Sequence, residues 1–210
     1  MKNENFDLIL IILSILLVFA FYSLLPASIA LHWNYLNVPD FYAGKIWLFI
    51  FPVLMIIAFL VMRKFPHVRD LKKAHEFVNL HYSDFVSLVI LFLLYVEGVL
   101  LLSNLYFYPF SISDFLLPAF SVFFYWSGKN MPYLKRNHWI GIRTPWTVAS
   151  DRVWKDTHNE GKKLFKILSL IFMLSLFISN PVYQWIVVLT SLLVVGFVLI
   201  LFSFFDASSK

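Results

Sequence analysis

The sequence has few side chains that can perform acid–base or ligand chemistry, and the first group lies after the first apolar run. There His32 and Asp40 stand eight residues apart. An imidazole and a carboxylate can bind one metal ion together, but a zinc site uses three or four protein ligands. The alternative is a folded cap in which Asn34 and Asp40 bond turn backbone and Trp33 lies at the membrane interface. We expect this cap, with Tyr42, to face a partner outside the cell.

Glu97 is the second candidate, because it is the sole acidic residue well inside an apolar run. An ionised carboxylate at the centre of a membrane costs about 2.5–3.5 kcal/mol. Glu97 is therefore predicted to face the interior of a helix bundle, to pair, or to stay protonated. Two interpretations remain open. Glu97 is either a proton, cation or ligand site, as in a small-ligand or ion transporter, or an acid that only fixes helix packing.

A third group belongs to a basic segment, residues 129–163, between two long apolar runs. It includes Arg136 and Arg143, and the planar guanidinium of Arg143 suits a carboxylate or a phosphate. Arg143 either clamps the loop, by capping helix carbonyls or pairing with Asp151, or binds a lipid headgroup or a protein partner. His158 follows Trp154 by about one helical turn, so we expect a packed, hydrogen-bonded histidine rather than a catalytic one.

Motifs of catalysis are absent from the sequence. It lacks the zinc-protease His-Glu-x-x-His, the Gly-x-Ser-x-Gly elbow and a glycine-rich phosphate loop. It has no cysteine to serve as a nucleophile or ligand. We therefore expect no enzyme activity, no metal and no cofactor. A cryptic membrane enzyme that uses His32 with Asp40, or Glu97 with serine residues, is an alternative without positive support. Membrane topology accounts for the basic residues, so no nucleic-acid partner is predicted.

Membrane-spanning helices must position these groups. The 210-residue chain is 60% hydrophobic and 14% charged, whereas soluble domains have roughly a quarter charged residues. We predict an all-α, polytopic membrane helix bundle with about six transmembrane helices. Because the first apolar run is long and lacks a positive N-terminal flank, we expect it to be retained as a span. The predicted spans are residues 8–25, 46–62, 85–105, 113–127, 164–179 and 185–205.

Charge predicts the orientation of this bundle. Of the 17 Lys and Arg residues, all except Lys45 fall on one side, and such residues are enriched in cytoplasmic loops. Both termini are then cytoplasmic. The expected domains are an N-terminal two-span hairpin with an outer loop (1–62), a cytoplasmic connector (63–84), and a four-span domain (85–210) that includes the basic loop 129–163.

The basic loop is predicted to begin as a compact turn and to end as a helix. Gly141 permits positive φ, and Pro145 holds Thr144 extended. Ser150 can cap a helix that lies in the membrane interface and continues into a span. Its apolar face comprises Val153, Trp154, Thr157, His158, Gly161, Leu164, Phe165 and Leu168.

The order of residues in the basic loop resembles the signature of the SdpI family, bacterial multi-pass membrane proteins that confer immunity to a secreted toxin. The resemblance rests on Lys-Arg-Asn at 135–137, Ile-Gly-Ile-Arg-Thr-Pro-Trp-Thr at 140–147, Val153-Trp154 and Thr157-His158. The stretch LHWNYLNVPDFYAGK, residues 31–45, is similar to the domain of unknown function that precedes it in the family. Asn37 replaces an expected glycine there, and we expect it to keep the turn because asparagine tolerates left-handed backbone.

The resemblance implies a protein of the bacterial cell membrane that binds or neutralises a secreted toxin. It also implies a signalling arm that captures a cytoplasmic repressor on the inner face. The outer residues expected to meet a partner are His32, Trp33, Asn34, Asp40 and Tyr42. The inner residues expected to bind a partner or membrane lipids are Lys135, Arg136, Asn137, Arg143, Thr144, Trp146, Trp154 and His158.

Overall fold

The computed structural model describes residues 3–64, 82–105, 111–138 and 140–209. Short 3₁₀ turns lie at Lys45–Phe49, Met131–Tyr133 and Ser175–Phe177. The helices and strands within the described ranges are α1 (Glu4–Tyr22), β1 (Ser28–Trp33), β2 (Pro39–Gly44), α2 (Ile50–Lys64), α3 (Tyr82–Leu105), α4 (Ile112–Asn130), α5 (Pro145–Ala149), α6 (Asp151–Leu174) and α7 (Pro181–Ser208).

The predicted helical membrane bundle is confirmed, and each predicted span corresponds to a helix. In the described part of the chain, four helical segments are long and apolar enough to cross a membrane: Glu4–Tyr22, Lys45–Met62, Tyr82–Leu105 and Pro181–Ser208. Helix α4 contains Pro118, and α6 begins with the polar residues 151–163. The count of six spans and the cytoplasmic termini stay predictions.

The chain divides into two compact units, and each is described by itself. The first comprises Met1–Arg63 with Ser83–Ala119, and the second contains Phe120–Lys210. The predicted connector at 63–84 lies largely outside the described residues. The proposed domain boundaries stay predictions.

In the first unit, the segment that the sequence indicated as an outer loop is an antiparallel hairpin of β1 and β2. A core of Val18, Leu25, Ile29, Leu48, Leu100 and Leu101 packs beneath it. Asn104 of α3 accepts from the Ala30 N–H at 2.7 Å and donates to the Ala30 carbonyl at 3.0 Å. Lys45 donates to the carbonyls of Tyr22 and Leu25 at the end of α1. These bonds fix the hairpin onto the helices.

The hairpin turn is built by two asparagines. The Asn34 side chain accepts from the N–H groups of Leu36 and Val38. Asn37 has a φ of 60°, which confirms that asparagine keeps the left-handed turn in place of glycine. Its amide also bonds Ser113 at the start of α4.

The second unit is organised by α6. Ser150 caps this helix by accepting from the Val153 N–H at 3.4 Å, as the sequence predicted. Gly128 lets α4 approach α6 closely, because a Cβ at position 128 would lie 2.8 Å from the Cβ of Phe165. On the predicted apolar face, Leu164 and Phe165 are half-buried and the other six residues are buried.

Candidate functional site

The centre of the basic loop is a stacked pair of rings on α6. The ring centroids of Trp154 and His158 lie 4.2 Å apart with an interplanar angle of 20°. Both side chains are buried. The Trp154 indole donates to the Leu134 carbonyl at 2.6 Å, so it holds the chain that follows α4 against α6.

His158 uses both ring nitrogens for structure. Its Nε2 accepts from the Ile142 N–H at 3.1 Å, so Nδ1 carries the proton and donates to the Trp154 carbonyl at 2.8 Å. Burial lowers the pKa of His158 to about 4, although the bond to the Trp154 carbonyl acts in the opposite direction. The predicted packed, hydrogen-bonded histidine is confirmed, with a neutral ring at physiological pH.

Gly141 brings the loop onto these rings. Its φ is +119°, a conformation that side chains rarely adopt. A Cβ at this position would lie 2.5 Å from His158 Nε2 and 3.1 Å from the Trp154 ring. The positive φ that the sequence allowed at Gly141 is present, and close packing against the two rings is a second reason for glycine here.

Hydroxyl and amide side chains complete the loop. Asn137 donates to the carbonyls of Lys135 and Ile140 and accepts from the Ile140 N–H. Thr144 is extended, as predicted, and forms a reciprocal capping box with Thr147 at the start of α5. The Thr144 hydroxyl also donates to Ser203 of α7 at 3.0 Å.

Apolar packing adds to these bonds at α7. Trp146 packs edge-on against Phe204 of α7, with 5.1 Å between ring centroids. Together with the Thr144 bond to Ser203, this contact attaches the loop to the last helix.

Two arginines of the basic loop, Arg136 and Arg143, bind partners other than those that the sequence suggested. Arg136 donates to the Asp151 carboxylate at 2.6 Å and to the Val148 carbonyl of α5 at 2.8 Å. Arg143 instead donates to the His138 carbonyl at 2.6 Å. The suggested pairing of Arg143 with Asp151 is not formed, since Asp151 pairs with Arg136 and Arg143 bonds the His138 carbonyl.

Arg152 makes a contact that sequence reasoning missed. It donates to the Asp206 carboxylate at 2.7 Å and to the Asp206 backbone carbonyl at 2.5 Å. The two residues lie 54 positions apart, on α6 and α7. No local pattern signals a pair at that separation.

A group of lysines leaves the second unit with an exposed positive surface. Within the described ranges, these lysines make no ion pair with an acidic residue. They are Lys129, Lys135, Lys155 and Lys162. Ammonium groups that lack an internal partner are available to anionic lipid or to an acidic protein surface.

The outer group of residues lies on the hairpin of the first unit. His32 Nδ1 and the Asp40 carboxylate are 2.5 Å apart, and both side chains are exposed. Trp33 is half-buried and Tyr42 is exposed. The described residues contain no cluster of three or more His, Cys, Asp and Glu that could hold a metal ion. His32 and Asp40 thus bond one another across the strands, while Asn34 shapes the turn.

Comparison with known proteins matches both polar regions. Residues 133–204 match the SdpI/YfhL protein family, and residues 9–56 match a domain of unknown function, DUF1648. Over 196 residues the chain is 26% identical to the Immunity protein SdpI of Bacillus subtilis (strain 168), an alignment that covers 93% of this chain and 92% of that relative. No solved structure matches. The chain is a multi-pass bacterial membrane protein that is similar to the SdpI/YfhL family over residues 133–204.

Proposed function

We propose that this protein protects its cell against a secreted, membrane-active toxin. The observation that carries the proposal is the similarity to an immunity protein over 93% of this chain and 92% of the relative. Such an alignment includes the outer hairpin as well as the basic loop. Its length favours retention of the relative's role over use of one domain for another purpose.

The outer hairpin is the surface we assign to the toxin. Its turn and second strand expose apolar side chains in addition to the His32 and Asp40 pair. A toxin that enters membranes must itself present apolar surface, so exposed aromatic side chains are suitable anchors for it. The exposed apolar residues of the hairpin are Tyr35, Leu36, Val38, Phe41 and Tyr42.

The inner face is the surface we assign to signalling or to lipid. The exposed lysines Lys135 and Lys155 can attract an acidic surface on a cytoplasmic repressor, or the anionic lipids of the inner leaflet. The backbone of the loop that carries Lys135 is hydrogen-bonded by Asn137 and His158. A loop that is already ordered presents its charges without a large ordering cost on binding.

Survival under toxin challenge tests the immunity proposal. A toxin-sensitive Gram-positive strain would express the parent protein, the outer double variant Phe41→Ala/Tyr42→Ala, or the control Leu193→Ala, at equal membrane levels. Leu193 is 75% exposed on α7, so its truncation should have no effect. We expect protection by the parent and the control and loss of protection in the outer variant. No protection by the parent at normal membrane levels would contradict the function.

The inner face needs a separate readout. The charge-reversal variant Lys135→Glu/Lys155→Glu should still protect if the hairpin alone meets the toxin. Recruitment of a fluorescently tagged repressor to the membrane would be followed in the same cells. Loss of recruitment with intact protection would support the signalling arm, whereas unchanged recruitment would contradict the role of these lysines.

A further inference from the structure

A second polar feature lies in the first unit, on the interface of α1 and α3. Asn3 bonds Ser83 and Asp84, and Asp7 accepts from the Ser87 hydroxyl at 2.6 Å. These contacts advance along both helices in the same direction, so α1 and α3 run parallel. Two turns beyond Asp7, Ser14 lies close to Glu97. Polar residues therefore recur along one seam, from the start of α1 toward its middle.

Glu97 is the innermost member of this seam. It is fully buried, as is Ser14. Among the described residues, the two carboxylate oxygens of Glu97 have no hydrogen-bond partner of normal geometry. The same is true of the Ser14 hydroxyl. An ionised carboxylate in that setting costs about 2.5–3.5 kcal/mol within a membrane. Protonation removes that cost and supplies a donor that can reach Ser14.

The ligand of such a site is defined by what surrounds it. A bound Ca²⁺ needs about six to eight oxygen ligands, and the described residues contain no group of three or more His, Cys, Asp and Glu that could hold a metal ion. Four charged or titratable side chains of the first unit have partners of their own away from Glu97. Lys45 bonds the end of α1, His32 and Asp40 bond each other, and Asp84 bonds Asn3. The proton is the one cation that a single carboxyl can bind by itself.

The two ends of the seam differ in polarity. Beyond Glu97, the apolar core of Val18, Leu100 and Leu101 separates it from the hairpin. On the opposite side lies Asp7, fully buried, with one carboxylate oxygen bonded to Ser87 and the other without a partner among the residues that the structure describes. Asp7 and Ser14 are separated by two turns, about 10 Å of helix. The stretch of α1 between them buries Leu10 and Ile11, so Asp7 is the next buried acid of the described seam and not a direct contact of Ser14.

We propose that Glu97, with Ser14, is a proton-binding site within the membrane that exchanges its proton through Asp7 with the side on which α1 begins. The site binds a proton in one step, in which the carboxylate becomes a carboxylic acid and no other bond changes. This role does not depend on toxin binding. It gives the protein a group whose charge responds to the proton concentration on one side of the membrane.

Infrared spectroscopy of the full chain in lipid nanodiscs tests the site. The parent should show the carbonyl stretch of a buried carboxylic acid at about pH 6, and the band should disappear reversibly as the pH is raised toward about 10. Glu97→Gln should lack the band, whereas Asp114→Asn should retain it. A parent spectrum without a Glu97 band, or a band that stays unchanged across this range, would overturn the proposal. The second result would identify Glu97 as a packing acid.

The route of exchange has its own test. Deuterium exchange of the Glu97 carboxyl should slow several-fold in Asp7→Asn, which keeps an oxygen for Ser87 but cannot carry a proton. Asp114→Asn removes an acid at the start of α4 and should leave the rate unchanged. Equal rates in the parent and Asp7→Asn, or a slower rate in Asp114→Asn, would overturn the route.

Chemical labelling of the parent protein tests the site without a variant that could fail to fold. A hydrophobic carbodiimide adds to protonated carboxyl groups in membranes and leaves an adduct that mass spectrometry can locate. In the parent, Glu97 should be labelled more at low pH than at high pH. Glu160, half-buried and paired with Lys163 at 2.6 Å, is the internal control and should stay unlabelled. Absence of the adduct from Glu97 would contradict a protonated site.

Discussion

His158 accepts the Ile142 N–H through Nε2 while its ring stacks on Trp154, one turn earlier on the same helix. One histidine therefore joins α6 to the loop that precedes α5. The bond requires an unprotonated Nε2, so this contact forms only while the ring is neutral. This relationship makes the basic loop sensitive to acid, although the loop itself consists mainly of residues that do not titrate near neutral pH.

The first prediction follows from that bond. Burial lowers the pKa of His158 from its usual 6.5 to about 4, so between these values the unfolded chain binds more protons than the folded chain. Stability from His158 is then complete above about pH 6.5 and declines as the pH falls toward 4, by up to about 3 kcal/mol. Thermal unfolding in detergent, followed from about pH 7 to about pH 4.5, measures this loss.

His158→Phe is the control for this prediction. It leaves the Ile142 N–H without its acceptor, so its stability should be lower at every pH. The stability of this variant should nevertheless depend less steeply on pH than that of the parent. An equally steep decline in both proteins would show that other groups cause the acid sensitivity.

Substitution of Gly141 should harm the loop through both its backbone and its packing. Gly141→Ala forces a side chain into a φ of +119° and places a Cβ 2.5 Å from His158 Nε2. We expect a loss of at least about 1–2 kcal/mol. Gly196→Ala is the matched control, because nothing lies within 4 Å of a Cβ there. Chemical denaturation of the two variants should separate them clearly, and similar stabilities would contradict the close contact.

Asn104 should determine how firmly the hairpin is attached to α3. Asn104→Leu leaves the Ala30 N–H and carbonyl without their partner, and each unpaired buried group costs about 1–3 kcal/mol. Asn104→Asp keeps an acceptor for the Ala30 N–H but places a carboxylate oxygen against the Ala30 carbonyl, so it should also weaken the attachment. Hydrogen exchange of residues 28–33 reports the attachment. If the leucine variant exchanges at the parent rate, the bond does not hold the hairpin.

Thr144 should stabilise α5 and its contact with α7 through one hydroxyl. Thr144→Val keeps the shape but removes both the cap and the bond to Ser203, with an expected cost of about 1–2 kcal/mol. Thr144→Ser retains the hydroxyl and should remain close to the parent. Thermal unfolding of the pair distinguishes loss of the hydroxyl from loss of the methyl group. An equal loss of stability in Thr144→Val and Thr144→Ser would contradict the role of the cap.

Much of the local structure could be predicted because it depends on neighbouring residues. The Ser150 cap, the buried face of α6 and the left-handed Asn37 all follow from backbone rules that act over a few positions. The hairpin could not be predicted in this way. Its strands are irregularly paired, with register shifts near His32, so a simple alternation of polar and apolar residues is missing.

The sequence by itself determined a helical membrane protein, its basic loop and its resemblance to the SdpI family, because hydropathy, charge and residue order are properties of the chain. The tertiary structure decided which partners meet. It paired Arg136 with Asp151, Arg152 with Asp206, and Asn104 with Ala30. Residues far apart in the chain become neighbours only when helices pack, and no local pattern encodes that distance.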